Sequence, residues 1–116
     1  MFELLRSEEL PNKFVYAEEF LRVVTLRLTS LEPWWIMQGR ELRERYNGLR
    51  TRYPSYVLVP FARRQDNDDV ACWDVPLGKI IIVHDFASSG WERRKEFPDF
   101  YSWFRQAIDD LIEFDL

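Results

Sequence analysis

Phe100, Trp103, Phe104, Ala107, Ile108, Leu111 and Ile112 recur at i, i+3, i+4, i+7, i+8, i+11 and i+12. That spacing puts every one of them on a single face of an α-helix, whereas a strand would scatter them over both of its faces. The spacing predicts a C-terminal amphipathic helix whose aromatic-rich face must be covered by a sheet or by other helices. Pro98 suits its first helical position, where a missing N–H costs nothing.

The middle of the chain has a different period. Tyr56–Val59, Asp69–Val75 and Lys79–Phe86 are rich in β-branched and aromatic residues and read as strands. Pro76-Leu77-Gly78 is a short turn that makes a hairpin of the last two. Between Phe61 and Asp69 lies a polar loop, Arg63 to Asp68. Upstream, Ala17, Phe20, Leu21, Val24 and Leu28 form an apolar stripe that predicts a helix over about 16–26, with Glu18 and Glu19 at its positive end. A second helix is predicted over about 40–53, with Leu42, Tyr46 and Leu49 on one face and Gly48 as an interior weak point worth ~1 kcal/mol relative to Ala. Trp34 to Met37 fits a short strand as well as a helix, since Thr29 and Glu32 have capping-box spacing. The expected architecture is α+β in one domain over 1–116: an antiparallel sheet of about four strands, flanked by N-terminal helices and the C-terminal amphipathic helix.

A chain of 116 residues, 47% of them apolar, can close a core without a covalent staple. One cysteine excludes an internal disulfide. MFELLRSEEL has no signal-peptide character, and no apolar run approaches the ~20 residues of a membrane span, so a reducing cytoplasm is the expected compartment and no membrane partner is expected. Sixteen basic against 20 acidic residues, a net charge of −4, argues against direct nucleic-acid binding. Aromatics make up 16% of the chain, more than so small a core holds, which predicts that some lie at the surface; a Phe/Trp-rich core with amphipathic rims and an aromatic interface are the two readings.

Catalytic signals are sparse. There is no glycine-rich phosphate loop, and no cofactor is expected. Cys72 and the lone histidine, His84, lie on the hairpin strands. A register summing to 154 would set Cys72 opposite Ile82 and diagonal to His84, giving a nucleophile–base pair with Asp74 or Asp85 nearby. A slip of one residue would put the two on opposite faces, and the other reading is a Cys72 buried as a small hydrophobe with His84 hydrogen-bonded to a neighbour at a strand end. Asp66, Asp68 and Asp69 resemble half of a calcium loop but lack its glycine and its glutamate, and one His with one Cys cannot close a zinc site, so no metal is expected.

Charge placement is more informative. Asp109, Asp110, Glu113 and Asp115 crowd the C-terminal end of the last helix, against its dipole by roughly 0.3–1 kcal/mol each when exposed. Cations in Glu92-Arg93-Arg94-Lys95-Glu96 precede the same helix and oppose its dipole too. Two readings fit: solvated residues, meeting the arginines of 40–52 across the surface, or an acidic surface that serves a basic partner.

Val59-Pro60-Phe61-Ala62, the acidic loop Asp66-Asn67-Asp68-Asp69, the strands Val70–Asp74 and Lys79–His84, and Phe97-Pro98-Asp99-Phe100-Tyr101-Ser102-Trp103-Phe104 follow one another in the order and spacing of the SUKH superfamily. Leu10-Pro11 with Phe14, Tyr16 and Phe20-Leu21 is similar to that family's N-terminal segment. The chain departs from the pattern in having Asp68-Asp69 where Gly-Asp is common, Arg27-Leu28 where Asn-Gly often follows the first helix, and Trp34-Trp35. The resemblance implies an α+β protein that binds without catalysing, in the manner of immunity proteins that neutralise a cognate bacterial toxin, often a nuclease. Asp66, Asp68, Asp69, Trp91, Asp109, Asp110 and Glu113 are then the expected contacts to a basic toxin domain. A regulatory or housekeeping module, dimeric through Trp34, Trp35 and the arginine-rich helix, is the alternative expectation.

Overall fold

The computed structural model describes residues 2–114. In chain order it comprises α1 (Glu18–Thr25), β1 (Ser30–Leu31), β2 (Trp34–Ile36), α2 (Gly39–Arg52), β3 (Leu58–Arg64), β4 (Asp69–Asp74), β5 (Lys79–His84), β6 (Arg93–Phe97) and α3 (Phe100–Glu113). The strands form one antiparallel sheet in the order β1-β2-β3-β4-β5-β6. The α+β class is as expected, but the sheet has six strands and not about four. The two-residue β1 is too short to carry a period. Arg93-Arg94-Lys95-Glu96-Phe97 reads as a charged run because β6 is an edge strand with an exposed centre, and charge there protects an open edge.

Opposed residues on antiparallel strands share a face. The pairs Trp34↔Arg64, Ala71↔Ile82 and Trp73↔Ile80 therefore define the face under α1 and α3. There Phe20, Phe61, Trp73, Phe100 and Trp103 interlock, mostly edge-to-face, with ring centroids 4.5 to 5.7 Å apart. Ala62, Ala71 and Ala107 are fully buried. The other face, with Val70, Cys72, Ile81 and Val83, is closed by α2 through Leu42, Tyr46 and Leu49. Asp85, just past β5, has a side chain with no solvent exposure. It ties the sheet to α2 through Arg45 Nη1 (2.7 Å) and Arg52 Nε (2.7 Å).

Three local expectations need correction. Leu21 and Leu28 are 40% and 44% exposed, and the buried stripe of α1 is Phe20 and Val23. The helix stops before Leu28: the Arg27 N–H donates to Val24 O (2.9 Å) and the Leu28 N–H to Val23 O (3.0 Å), with Arg27 at φ +62°. This is a Schellman stop. The cations of 92–96 belong to β6 and not to a helix approach, and α3 is capped by Asp99, whose side chain accepts the Ser102 N–H at 2.8 Å. Pro98 thus lies before the cap and not at the first helical position. Among the described residues no helix is long and apolar enough to cross a membrane.

Candidate functional site

The antiparallel register gathers three connections at one end of the sheet: the Glu32–Pro33 turn, the Gln65–Asp68 turn and the loop 85–92. Trp34 opposes Arg64, and Asp69 opposes His84. The Gln65 N–H donates to Pro33 O (2.8 Å) and the Asp85 N–H to Asp68 O (3.0 Å), which stitches the connections to one another. The last turns of α3 reach the same end, where Asp110 Oδ2 accepts the Trp34 indole N–H at 2.9 Å. Asp66, Asp68, Asp69, Trp91, Asp109, Asp110 and Glu113 are all brought to this end by the topology. Asp115 lies outside the described residues.

These acids fall into two sets. Asp66 is gripped through both oxygens by Arg64 (2.8 and 3.0 Å), and the Arg64 hydrogen bonds hold its carboxyl below the usual carboxylate range. Asp69 meets His84 Nδ1 at 2.8 Å and Arg94 Nη1 at 3.4 Å. Asp110 accepts from Trp34 and from Gln106 Nε2 (3.0 Å) and lies 3.5 Å from Arg64 Nη1. Asp66, Asp69 and Asp110 are thus structural anchors whose charge is largely answered inside the fold. Asp68, Asp109 and Glu113 are exposed, with no ion pair among the described residues. Trp91 is 77% exposed on the 85–92 loop, while the Trp91 N–H is held by Ser88 O (2.9 Å).

Among the described residues the arginines of α2 do not meet the tail acids. Arg45 and Arg52 hold Asp85, Arg43 holds Glu9 and Glu3, and Arg40 pairs with Glu44. Trp34 is only 4% exposed and packs edge-on against Trp103, so it offers no dimer contact, whereas Trp35 is half-buried with its indole N–H on Gln65.

The β4–β5 register sums to 153. Cys72 opposes Ile81 and His84 opposes Asp69, which separates the thiol and the imidazole onto opposite faces. Cys72 has no exposure, and burial pushes its thiol up, away from the reactive thiolate. Asp74 is paired with Arg93 (3.3 Å), and Asp85 is buried against α2, so neither carboxylate joins His84. Among the described residues no group of three or more His, Cys, Asp or Glu side chains is placed to hold a metal.

Sequence reasoning missed one part of this end. Beside the 85–92 loop, Tyr53, Tyr56, Phe86 and Glu92 line a recess of about 440 Å³. Tyr53-Pro54-Ser55-Tyr56, two aromatics bracketing a turn, was the signal available for it. No protein-family model matches the chain, and comparison with curated proteins and with solved structures gives no match to it.

Proposed function

We propose that this chain is a cytoplasmic protein-binding module of the SUKH type. It acts without catalysis as an immunity protein, blocking a cognate toxin by covering that toxin's basic substrate cleft. The observation that carries this reading is Trp91, a large exposed aromatic at the sheet end where Asp68, Asp109 and Glu113 remain unpaired. A large exposed aromatic with charge at the same end of the sheet has the composition of an interface centre and its rim. Unpaired acids speed encounter with a basic surface.

Two further features support the resemblance. Arg27, in the Arg27-Leu28 pair that stands where the family often has Asn-Gly, adopts the left-handed conformation that Asn and Gly favour. Phe61, of the Pro60-Phe61-Ala62 motif, sits at the centre of the aromatic core, at a bulge between β3 and β4. The dimeric alternative has lost Trp34 from its surface.

The test is co-expression with the toxin encoded beside this gene. We expect a stoichiometric complex by size-exclusion chromatography, loss of toxin activity, and at least tenfold weaker binding by Trp91→Ala. Full toxin activity in the presence of this protein, or a locus with no toxin gene, would remove the reading.

A further inference from the structure

The recess beside the 85–92 loop has aromatic walls and an unanswered carboxylate. Tyr53 and Tyr56 meet edge-to-face, with centroids 6.3 Å apart, and Phe86 completes the wall. Glu92 Oε2 is buried and has no hydrogen-bond partner among the described residues. An unpaired buried carboxylate oxygen is costly, and such atoms in folded proteins require an explanation. Arg52, the nearest cation in the lining, is already committed. It gives Nε and Nη2 to Asp85, and its guanidinium lies 4.1 Å from the Phe86 ring centre. No ion pair joins it to Glu92 among the described residues. Phe86 itself sits at φ +65°, a conformation unfavourable for a bulky residue, held by its N–H on Asp85 Oδ1 (3.0 Å).

Aromatic faces around a carboxylate are complementary to one chemistry, an organic cation. At about 440 Å³ the recess lies low in the ~300–1,000 Å³ span of small-ligand pockets. It therefore suits a side chain more than a cofactor. We infer that this recess receives an arginine side chain of the protein partner. The guanidinium pairs with Glu92 and stacks against Tyr53, Tyr56 and Phe86, next to the Trp91 contact. Arginine is preferred over lysine because its planar fork suits both a carboxylate and an aromatic face. That the side chain comes from a protein rests on the function proposed above.

The probe is N-acetyl-arginine amide titrated into the ¹⁵N-labelled protein, with N-acetyl-norleucine amide as the uncharged control. The expected result is saturable shifts confined to Tyr53, Tyr56, Phe86 and Glu92, no saturation with norleucine amide, and at least tenfold weaker binding by Glu92→Gln. Glu92 has no hydrogen bond on Oε2 to lose, so this variant should keep the native spectrum. Phe86→Ala serves as the second variant, with the same expected direction. Absence of saturable shifts, or equal binding by Glu92→Gln or by norleucine amide, overturns the inference. The two readings fail separately. A toxin complex that needs Trp91, with no arginine-amide site, removes the recess and leaves the proposed function. A saturable arginine site with no toxin partner does the reverse.

Discussion

The Arg52 guanidinium occupies the space that a side chain on Gly48 would need: an ideal Cβ at Gly48 falls 2.7 Å from Arg52 Nη2. Arg52 folds back along its own helix to reach Asp85, and the glycine four residues earlier clears the path. Gly48→Ala should gain ~0.8–1.0 kcal/mol of helix propensity and disturb charged hydrogen bonds worth ~1.5–3 kcal/mol. The expected outcome is a net loss of about 1 kcal/mol by urea denaturation. In an Arg52→Ala background the sign should reverse, because only the propensity term remains. Stabilisation of the wild type by Gly48→Ala would show that Arg52 relocates freely.

Asp85 sets the acid limit of the fold. Burial raises its carboxyl, but the Arg52 and Arg45 hydrogen bonds outweigh burial and leave it below its ordinary value. Glu9, hydrogen-bonded to Arg43, is lowered to about 2. A carboxylate depressed in the folded state contributes stability above its unfolded pKa and loses it as pH falls through the folded value. Stability should therefore be flat above about pH 5 and fall between about 4.5 and 2, given unfolded values of ~3.9 for Asp and ~4.3 for Glu. Asp85→Asn should lower stability at pH 7 by about 3 kcal/mol, toward the low end for a broken buried pair because both arginines reach solvent. It should also flatten the acid limb. An unchanged limb in the Asp85→Asn, Glu9→Gln double variant would assign acid unfolding to other carboxylates.

Arg27 offers the opposite experiment with glycine. At φ +62° it carries a left-handed strain of roughly 1–2 kcal/mol that glycine does not. Arg27 is exposed and takes part in no ion pair among the described residues. Arg27→Gly should raise stability by up to about 1 kcal/mol, part of the gain being offset by the freer unfolded chain. Thermal melts decide it, and a lower Tm would mean that the arginine stem packs productively on α1.

How far the sequence could be read depends on where each segment sits. α3 was legible because its long stripe admits one geometry, although only Phe100, Trp103 and Ala107 are buried and the stripe's end, Leu111 and Ile112, is exposed; α2 was legible because Leu42, Tyr46 and Leu49 each lie where the period put them. The β4–β5 hairpin was legible as a hairpin, but its register was not. Val70 to Trp73 and Ile80 to Val83 are buried on both faces, so the pattern has no polar side to fix which residue faces which core. β6 was hidden by its charges. The acids at the sheet end were visible in sequence, but their division into paired and unpaired sets was not. Arg64 meets Asp110 across 46 residues, and only the fold brings them together.

Cys72 should be inert. It has no exposed surface, and its thiol is pushed up by burial. With a neutral-pH disulfide reagent, native protein should label no faster than it unfolds, and full labelling should follow addition of denaturant. Rapid stoichiometric labelling of native protein would contradict the closed sheet face under α2 and reopen a thiol chemistry for this chain.

The division of the acids gives the sharpest separation of stability from binding. Asp110→Ala leaves the buried Trp34 indole N–H without an acceptor, and the unsatisfied donor should cost about 2 kcal/mol. Asp68→Asn, Asp109→Asn and Glu113→Gln break no ion pair among the described residues, so each should leave the melting curve within about 0.5 kcal/mol of wild type. Their effect should appear instead in association with a basic partner. The triple variant should slow association several-fold at low salt, with dissociation nearly unchanged, and the difference should shrink as salt screens the charges. Stopped-flow association at two ionic strengths reads this directly. If the triple variant associates at the wild-type rate in low salt, the unpaired acids do not steer the partner, and Trp91 with its neighbouring loop must carry recognition alone.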